Sequence, residues 1–258
     1  MAEQQLPPWG DDPLSSFFKD AEYNDRASSL NLPAIYALLQ RVHCAFRCVN
    51  AAVEKDHREA LLVPRVLIVR THSSFLAAIR LAMSGQLSES YAILRVAIEQ
   101  AWYALHIAKD PQAPNRSTMW LCRHDDDASK AKCKSEFSVQ RVRSTHEALD
   151  PITADLLHQL YETTIDFGAH PNQRGLLSSM RRAETQTDTT YQVGILHPEP
   201  VARSLSLKTC VEVAVGVLKV FQLVFPERFR IMSLDTEIEG IIQDLKRVIE
   251  SYARTGRP

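Results

Sequence analysis

The chain has 258 residues, with 30 Lys+Arg against 31 Asp+Glu for a formal net charge of -1, and 45% of its residues are hydrophobic and 24% charged. This composition excludes collagen, low-complexity disorder and a small disulfide scaffold. It also opposes a strongly basic nucleic-acid binder. A chain of this length buries enough apolar surface to hold a core without disulfides or metal.

Residues 1–30 mix Pro, Asp, Ser and Phe without a sustained period and are expected to form an N-terminal arm, anchored by Trp9, Phe17 and Phe18. The stretch Met1 to Asp20 has no continuous apolar run and does not read as a signal peptide. From Pro33 the pattern turns helical. Ile35, Leu38, Leu39, Val42, Phe46, Val49 and Val53 recur at steps of three and four, which makes one apolar stripe, with Asn31 as the expected cap. A second helix is expected from Pro64 to Ser84, apolar nearly all round and ended by Gly85. A third is expected from Ser88 to Lys109, stopped by Asp110-Pro111. Asn115 to Glu147 is more polar and reads as a solvated face. Asp150-Pro151 opens a helix over 151–165, followed by a loop from Gly168 to Gly175. Thr187 to Pro198 alternates weakly and is the one expected extended segment. Apolar periodicity returns from Pro200 to Phe225, and Asp235 caps a last amphipathic helix. The expected fold is therefore all-α: a single-domain bundle of six to seven helices over 31–258, with a short irregular or extended insertion near 187–198.

The five cysteines are Cys44, Cys48, Cys122, Cys133 and Cys210. An odd count without an export signal points to reduced thiols and a cytoplasmic setting. Cys44 and Cys48, four apart on a helix, are expected to face the core as small apolar groups. Neither the His43/Cys44/Cys48 group nor the Cys122/His124/Cys133 group has the paired spacing of a structural zinc site. No metal and no cofactor is expected. No stretch of about 18 consecutive apolar residues exists, so a membrane span is not expected.

The third helix carries the most informative pattern. At 100° per residue, Ser88, Arg95, Glu99 and His106 fall within about 40° of one another on an otherwise apolar helix. Charge embedded there needs partners, because an unpaired buried ion costs several kcal/mol. Arg95 and Glu99 are four apart, in the less favourable order for a local pair, so tertiary partners are expected. Arg70 and Arg80 on the preceding helix are the nearest candidates. The loop that follows the 151–165 helix concentrates Asp166, His170, Asn172 and Arg174 between two glycines. There His170 is a candidate base, oriented by Asp166, and Arg174 a candidate anion holder. Arg70, Arg80, Arg95, Glu99, His106, Asp166, His170, Asn172 and Arg174 together form the candidate site. Its expected occupant is a small anionic ligand or a protein partner, with a second copy of the chain as a further possible contact.

The run Arg80, Ala82, Gly85, Tyr91, Leu94, Arg95 and Glu99, with Ala169-His170-Pro171 downstream, resembles a loose group of uncharacterised bacterial helical proteins of unknown function. The chain also resembles, more distantly, the HEPN class of helical proteins. Many of these are metal-independent ribonucleases with an Arg and a His separated by four to six residues on a helix. Arg65 with His72 and Arg141 with His146 have that spacing. A chain with nine histidines and this many arginines produces such pairs by chance. The cations Lys130, Lys132, Lys134, Arg141 and Arg143 favour the second pair, since phosphate neutralisation needs clustered positive charge. The nuclease alternative requires Arg141 and His146 to be exposed on one basic groove. A structural or assembly role is the third expectation.

Overall fold

The computed structural model describes residues 8–169, 173–178, 180–184, 188–197 and 200–255. The elements run α1 Pro13–Asn31, α2 Pro33–Glu54, a 3-10 turn Glu59–Leu61, α3 Leu62–Ser84, α4 Leu87–Ala108, α5 Asn115–Leu121, α6 Asp127–Glu136 and α7 Val139–Glu147. They continue with α8 Pro151–Thr164, a π turn Ile165–Ala169, α9 Gln173–Ser178, β1 Met180–Glu184, β2 Thr189–Val193, α10 Pro200–Val224, α11 Pro226–Ile231 and α12 Leu234–Thr255. The chain is all-α with a short strand insertion, and it has more helices than the six to seven expected. The excess lies in short elements such as α5, α6, α9 and α11, of six to ten residues. A helix of two or three turns shows too little of the 3.6-residue period to be read from apolar spacing.

The middle of the bundle is α4. Its buried face carries Ala97, Ala101 and Ala104 beside Leu94, Ile98, Trp102 and Leu105. The small residues let neighbouring helices approach, and the large ones fill what remains. Helices α3 and α10, the π turn, α7 and α8 all pack on it. Helix α3 folds back onto α4 around Gly85, which takes φ 100° at the α3 C-terminus, the left-handed conformation that glycine adopts without strain. By length and composition the Glu59–Ser84 stretch is apolar enough to cross a membrane. In the fold, Val63, Leu67, Ile68, Phe75, Ala78 and Ala82 of this stretch belong to the core.

Residues 13–31, expected as part of an arm, form a helix. Asp12 caps it by accepting from the Leu14 and Ser15 backbone N–H groups. No apolar period announces this helix because its buried side chains are Ser15, Ala21 and Ser28. It docks through polar contacts: Asn24 donates to the Ser84 carbonyl at 2.9 Å and Ser28 to that of Met83 at 2.8 Å. Both carbonyls belong to the last turn of α3, where intrahelical donors run out. Trp9 and Phe18, expected as anchors, are exposed and stack on each other with ring centroids 5.9 Å apart. Asn31 ends α1 and does not cap α2, whose N-cap position is Leu32, without a side-chain bond.

Cys44 and Cys48 are exposed, contrary to expectation. The buried stripe of α2 is Ile35, Leu38, Leu39, Val42, Phe46, Val49 and Val53, and it leaves both thiols on the opposite face. The buried thiols are Cys133 and Cys210, and complete burial pushes the latter up to about 12. The segment expected as a loop from Gly168 to Gly175 is entered by the π turn and left by α9. The extended segment is β2, and its antiparallel partner β1 runs from Met180, opposite Val193, to Glu184, opposite Thr189.

Candidate functional site

The polar stripe of α4 divides. At one end, Arg95 Nε donates to Glu99 Oε1 at 2.9 Å, and Tyr161 of α8 donates its hydroxyl to the same oxygen at 3.1 Å. The Arg95 guanidinium lies 5.2 Å from the Tyr161 ring centroid. The local pair forms despite its unfavourable order, because one tyrosine serves both ions through its hydroxyl and its face. Both side chains remain partly exposed, 25% for Arg95 and 31% for Glu99.

The other expected members lie elsewhere. Arg80 pairs with Asp25 of α1 at 2.8 Å, and burial of that aspartate pushes its carboxyl up. Arg70 sits exposed on α3. Asp166 pairs with Arg174, and both side chains are well exposed. His170 and Asn172 fall outside the described residues. The expected single cluster of Arg70, Arg80, Arg95, Glu99 and His106 is therefore not assembled. The position of an arginine along its own helix does not fix which neighbour it faces.

His106 joins a different group, at the far end of α4. Its side chain is 2% exposed. Nδ1 lies 2.7 Å from the Thr145 hydroxyl of α7, and Nε2 lies 3.2 Å from Glu136 Oε1 of α6. Glu136 Oε1 also accepts from Arg116 Nε of α5 at 2.9 Å, and Oε2 accepts from Arg141 of α7. Arg116 reaches further, donating to the carbonyls of His106 at 2.9 Å and Lys109 at 3.3 Å. It thereby satisfies acceptors left open at the α4 C-terminus. One carboxylate thus ties four helices together.

The protonation pattern follows from the donors. A carboxylate can only accept, so neutral His106 must carry its proton on Nε2 and donate it to Glu136. Nδ1 then accepts from Thr145, whose hydroxyl sits closer to it than to the Arg141 carbonyl at 3.3 Å. Burial lowers the His106 pKa below its ordinary value, Arg116 adds to this, and Glu136 opposes it. Burial works against ionised Glu136, but the hydrogen bonds from Arg116 and Arg141 outweigh it and hold the carboxyl below its usual range.

Two cavities flank the Arg116–Glu136 pair. One, of about 580 Å³, is lined by His106, Gln140, Arg141, Ser144 and Thr145. The other, of about 740 Å³, opens between α5 and α6 and includes Asp110, Asn115 and Lys132. Arg116 and Glu136 line both. Neither Arg95 nor Glu99 lines either of them.

The proposed nuclease pair does not share a groove. Arg141 is exposed and held by Glu136. His146 is fully buried; it accepts from Trp102 Nε1 at 3.2 Å through Nδ1, and its buried Nε2 has no hydrogen-bond partner among the described residues. The helical step between them turns one residue outward and the other inward. The other pair, Arg65 and His72, is seven apart and shares one face of α3, with Arg65 half-buried rather than open on a groove. His72 is buried at the α2–α3 contact, with Nε2 2.9 Å from His43 Nδ1 and Nδ1 2.9 Å from Asn50. Its ring stacks on Phe46 with centroids 4.9 Å apart. Burial lowers its pKa to about 4, aided by His43 and Arg47.

Glu136, Arg116 and Thr145 were missed from sequence. One signal existed: Cys133 and Phe137, four apart, are the buried positions of the α6 region, and a residue next to Phe137 lies at the edge of that face. Among the described residues no three His, Cys, Asp or Glu side chains gather as metal ligands. No protein-family model, curated protein or solved structure matches the chain.

Proposed function

We propose that the protein binds a small anionic ligand in the groove on either side of the Arg116–Glu136 pair. The Arg/Glu/His cluster expected on α4 is thereby relocated to its C-terminal end. The observation that carries this reading is the state of Arg141. Glu136 fixes one edge of its guanidinium, while 56% of the side chain stays open to solvent. A guanidinium oriented in advance loses less freedom when a phosphate or carboxylate arrives.

The charges lining the two cavities support the sign of the ligand. Arg116, Lys132 and Arg141 stand against Asp110 and Glu136, and His106 is neutral at pH 7 because its pKa is lowered. Asp110 is already engaged, accepting from the Gln112 and Arg116 backbone N–H groups at 2.9 and 2.7 Å. Gln140 and Ser144 supply neutral hydrogen-bonding groups beside Arg141.

Titration calorimetry with inorganic pyrophosphate tests the reading. Saturable binding is expected, weakened at least about tenfold by Arg141→Ala and unchanged by Arg95→Ala, with affinity falling as salt rises. Absence of saturable binding at millimolar pyrophosphate, or equal losses in both variants, rejects the groove as an anion site.

A further inference from the structure

We propose that a third cavity, at the junction of α4, the π turn, the strand insertion and α10, is a binding site for an uncharged, largely apolar small molecule. The cavity measures about 500 Å³, within the usual range of small-molecule sites of about 300–1,000 Å³. It stands apart from the Arg116–Glu136 groove, shares no lining residue with it, and is argued on separate observations.

Two glycines make the cavity. A Cβ on Gly168 would overlap the Ser88 carbonyl oxygen, so only glycine lets the π turn close on the first turn of α4. Gly85 takes positive φ, and its carbonyl accepts from the His197 backbone N–H at 2.8 Å. That bond draws the chain leaving β2 across the cavity. The result is a hollow with Tyr91 and Phe167 on one wall, their rings 5.5 Å apart, and Leu205 of α10 on another.

The rim identifies the ligand's character. Val193, Ile195 and Leu205 line the cavity and are 65%, 75% and 54% exposed. Large apolar side chains grouped around one hollow mark a surface that gains by being covered. The charges offer little to an ion. Lys208 is bound to Glu212 at 2.7 Å, and the carboxylate of Glu89 sits in the first turn of α4, where the helix dipole offsets it. Thr209 already donates its hydroxyl to the Leu205 carbonyl at 3.0 Å. Apolar area drives binding here, and a net charge on the ligand would be desolvated without an answering partner.

N-phenyl-1-naphthylamine, an uncharged fluorescent probe, and its sulfonated form 1-anilinonaphthalene-8-sulfonate separate the outcomes. The neutral probe is expected to saturate at one per chain and to bind more tightly than the sulfonate. Leu205→Asp and Val193→Asp, both at exposed positions, are each expected to weaken it at least about tenfold. Ile152→Asp, at an exposed apolar residue of α8 away from the cavity, is expected to leave it unchanged. Circular dichroism checks each variant's fold, and the Val193 variant carries the test if the Leu205 variant unfolds. Tighter binding of the sulfonate, equal affinity in all three variants, or an equal loss in Ile152→Asp overturns the proposal.

Discussion

The two ends of α4 hold the same kinds of side chain and put them to different use. At the Arg95 end, an arginine and a glutamate from one helix pair with each other and share one tyrosine. At the His106 end, a carboxylate from α6 collects donors from α4, α5 and α7. The first arrangement is half-solvated and local. The second is centred on a His106 that is 2% exposed and a Glu136 that is 19% exposed, and each of its partners comes from a different element. Charge on a helix therefore marks a structural centre only where other elements converge on it, since burial is what makes each missing partner costly.

The sharpest way to break that comparison is to remove the hub. Glu136→Ala removes the acceptor of buried His106 and the counter-charge of Arg116, which keeps its carbonyl acceptors, and unfolding in urea is expected to show a loss of about 3 kcal/mol. A loss no larger than that of a Glu99 variant would erase the distinction between the two ends.

The buried imidazoles sharpen it through pH. His72 has a folded pKa of about 4 against an ordinary value near 6.5. Between those values the unfolded chain binds a proton that the folded chain refuses, so stability falls as pH drops from about 6.5 towards 4. The window corresponds to about 3 kcal/mol for His72. His106 and His146 are shifted in the same direction, also chiefly by burial, and add to the slope. Glu136 acts separately: its lowered pKa gives stability that is present above the unfolded carboxyl value and is lost below it. His72→Gln is expected to flatten the slope between pH 6.5 and 4, and an unchanged slope would place the titration elsewhere.

A third change acts on backbone packing at the opposite end of α4. Gly168→Ala drives a methyl group into the Ser88 carbonyl, and the π turn must shift to make room. The expected cost is about 2 kcal/mol by thermal or urea unfolding. The same variant is expected to weaken the neutral probe, because the cavity's floor and its Phe167 wall move together.

What the sequence made legible follows from what each element buries. α4 was expected from Ser88 to Lys109 and runs Leu87–Ala108, because its apolar faces are long and its ends are marked by Gly85 and Asp110-Pro111. α1 escaped notice because it buries serine and alanine and docks through carbonyl-capping side chains. Residue type alone puts the thiols of Cys44 and Cys48 inside, but the aliphatic stripe of α2 takes the core face and leaves them out. The cluster at His106 was half visible. His106 stood out as a polar residue on an apolar helix, but Glu136 lies 30 residues away in a segment whose lysines and aspartates read as solvated. Periodicity reports which face is buried and carries no information about which distant residue meets it.

The smallest expected effect lies at the Arg95 end. Glu99→Gln keeps an acceptor for Tyr161 and removes the charge facing Arg95, in a pair where both side chains are a quarter or more exposed. Solvent screening limits such a pair to about 0.5 kcal/mol, up to about 1 with the tyrosine's help. A double-mutant cycle over Arg95→Met and Glu99→Gln measures the coupling directly. A coupling of several kcal/mol would mean that this end, too, is held by burial, and that the polar stripe of α4 is one continuous network.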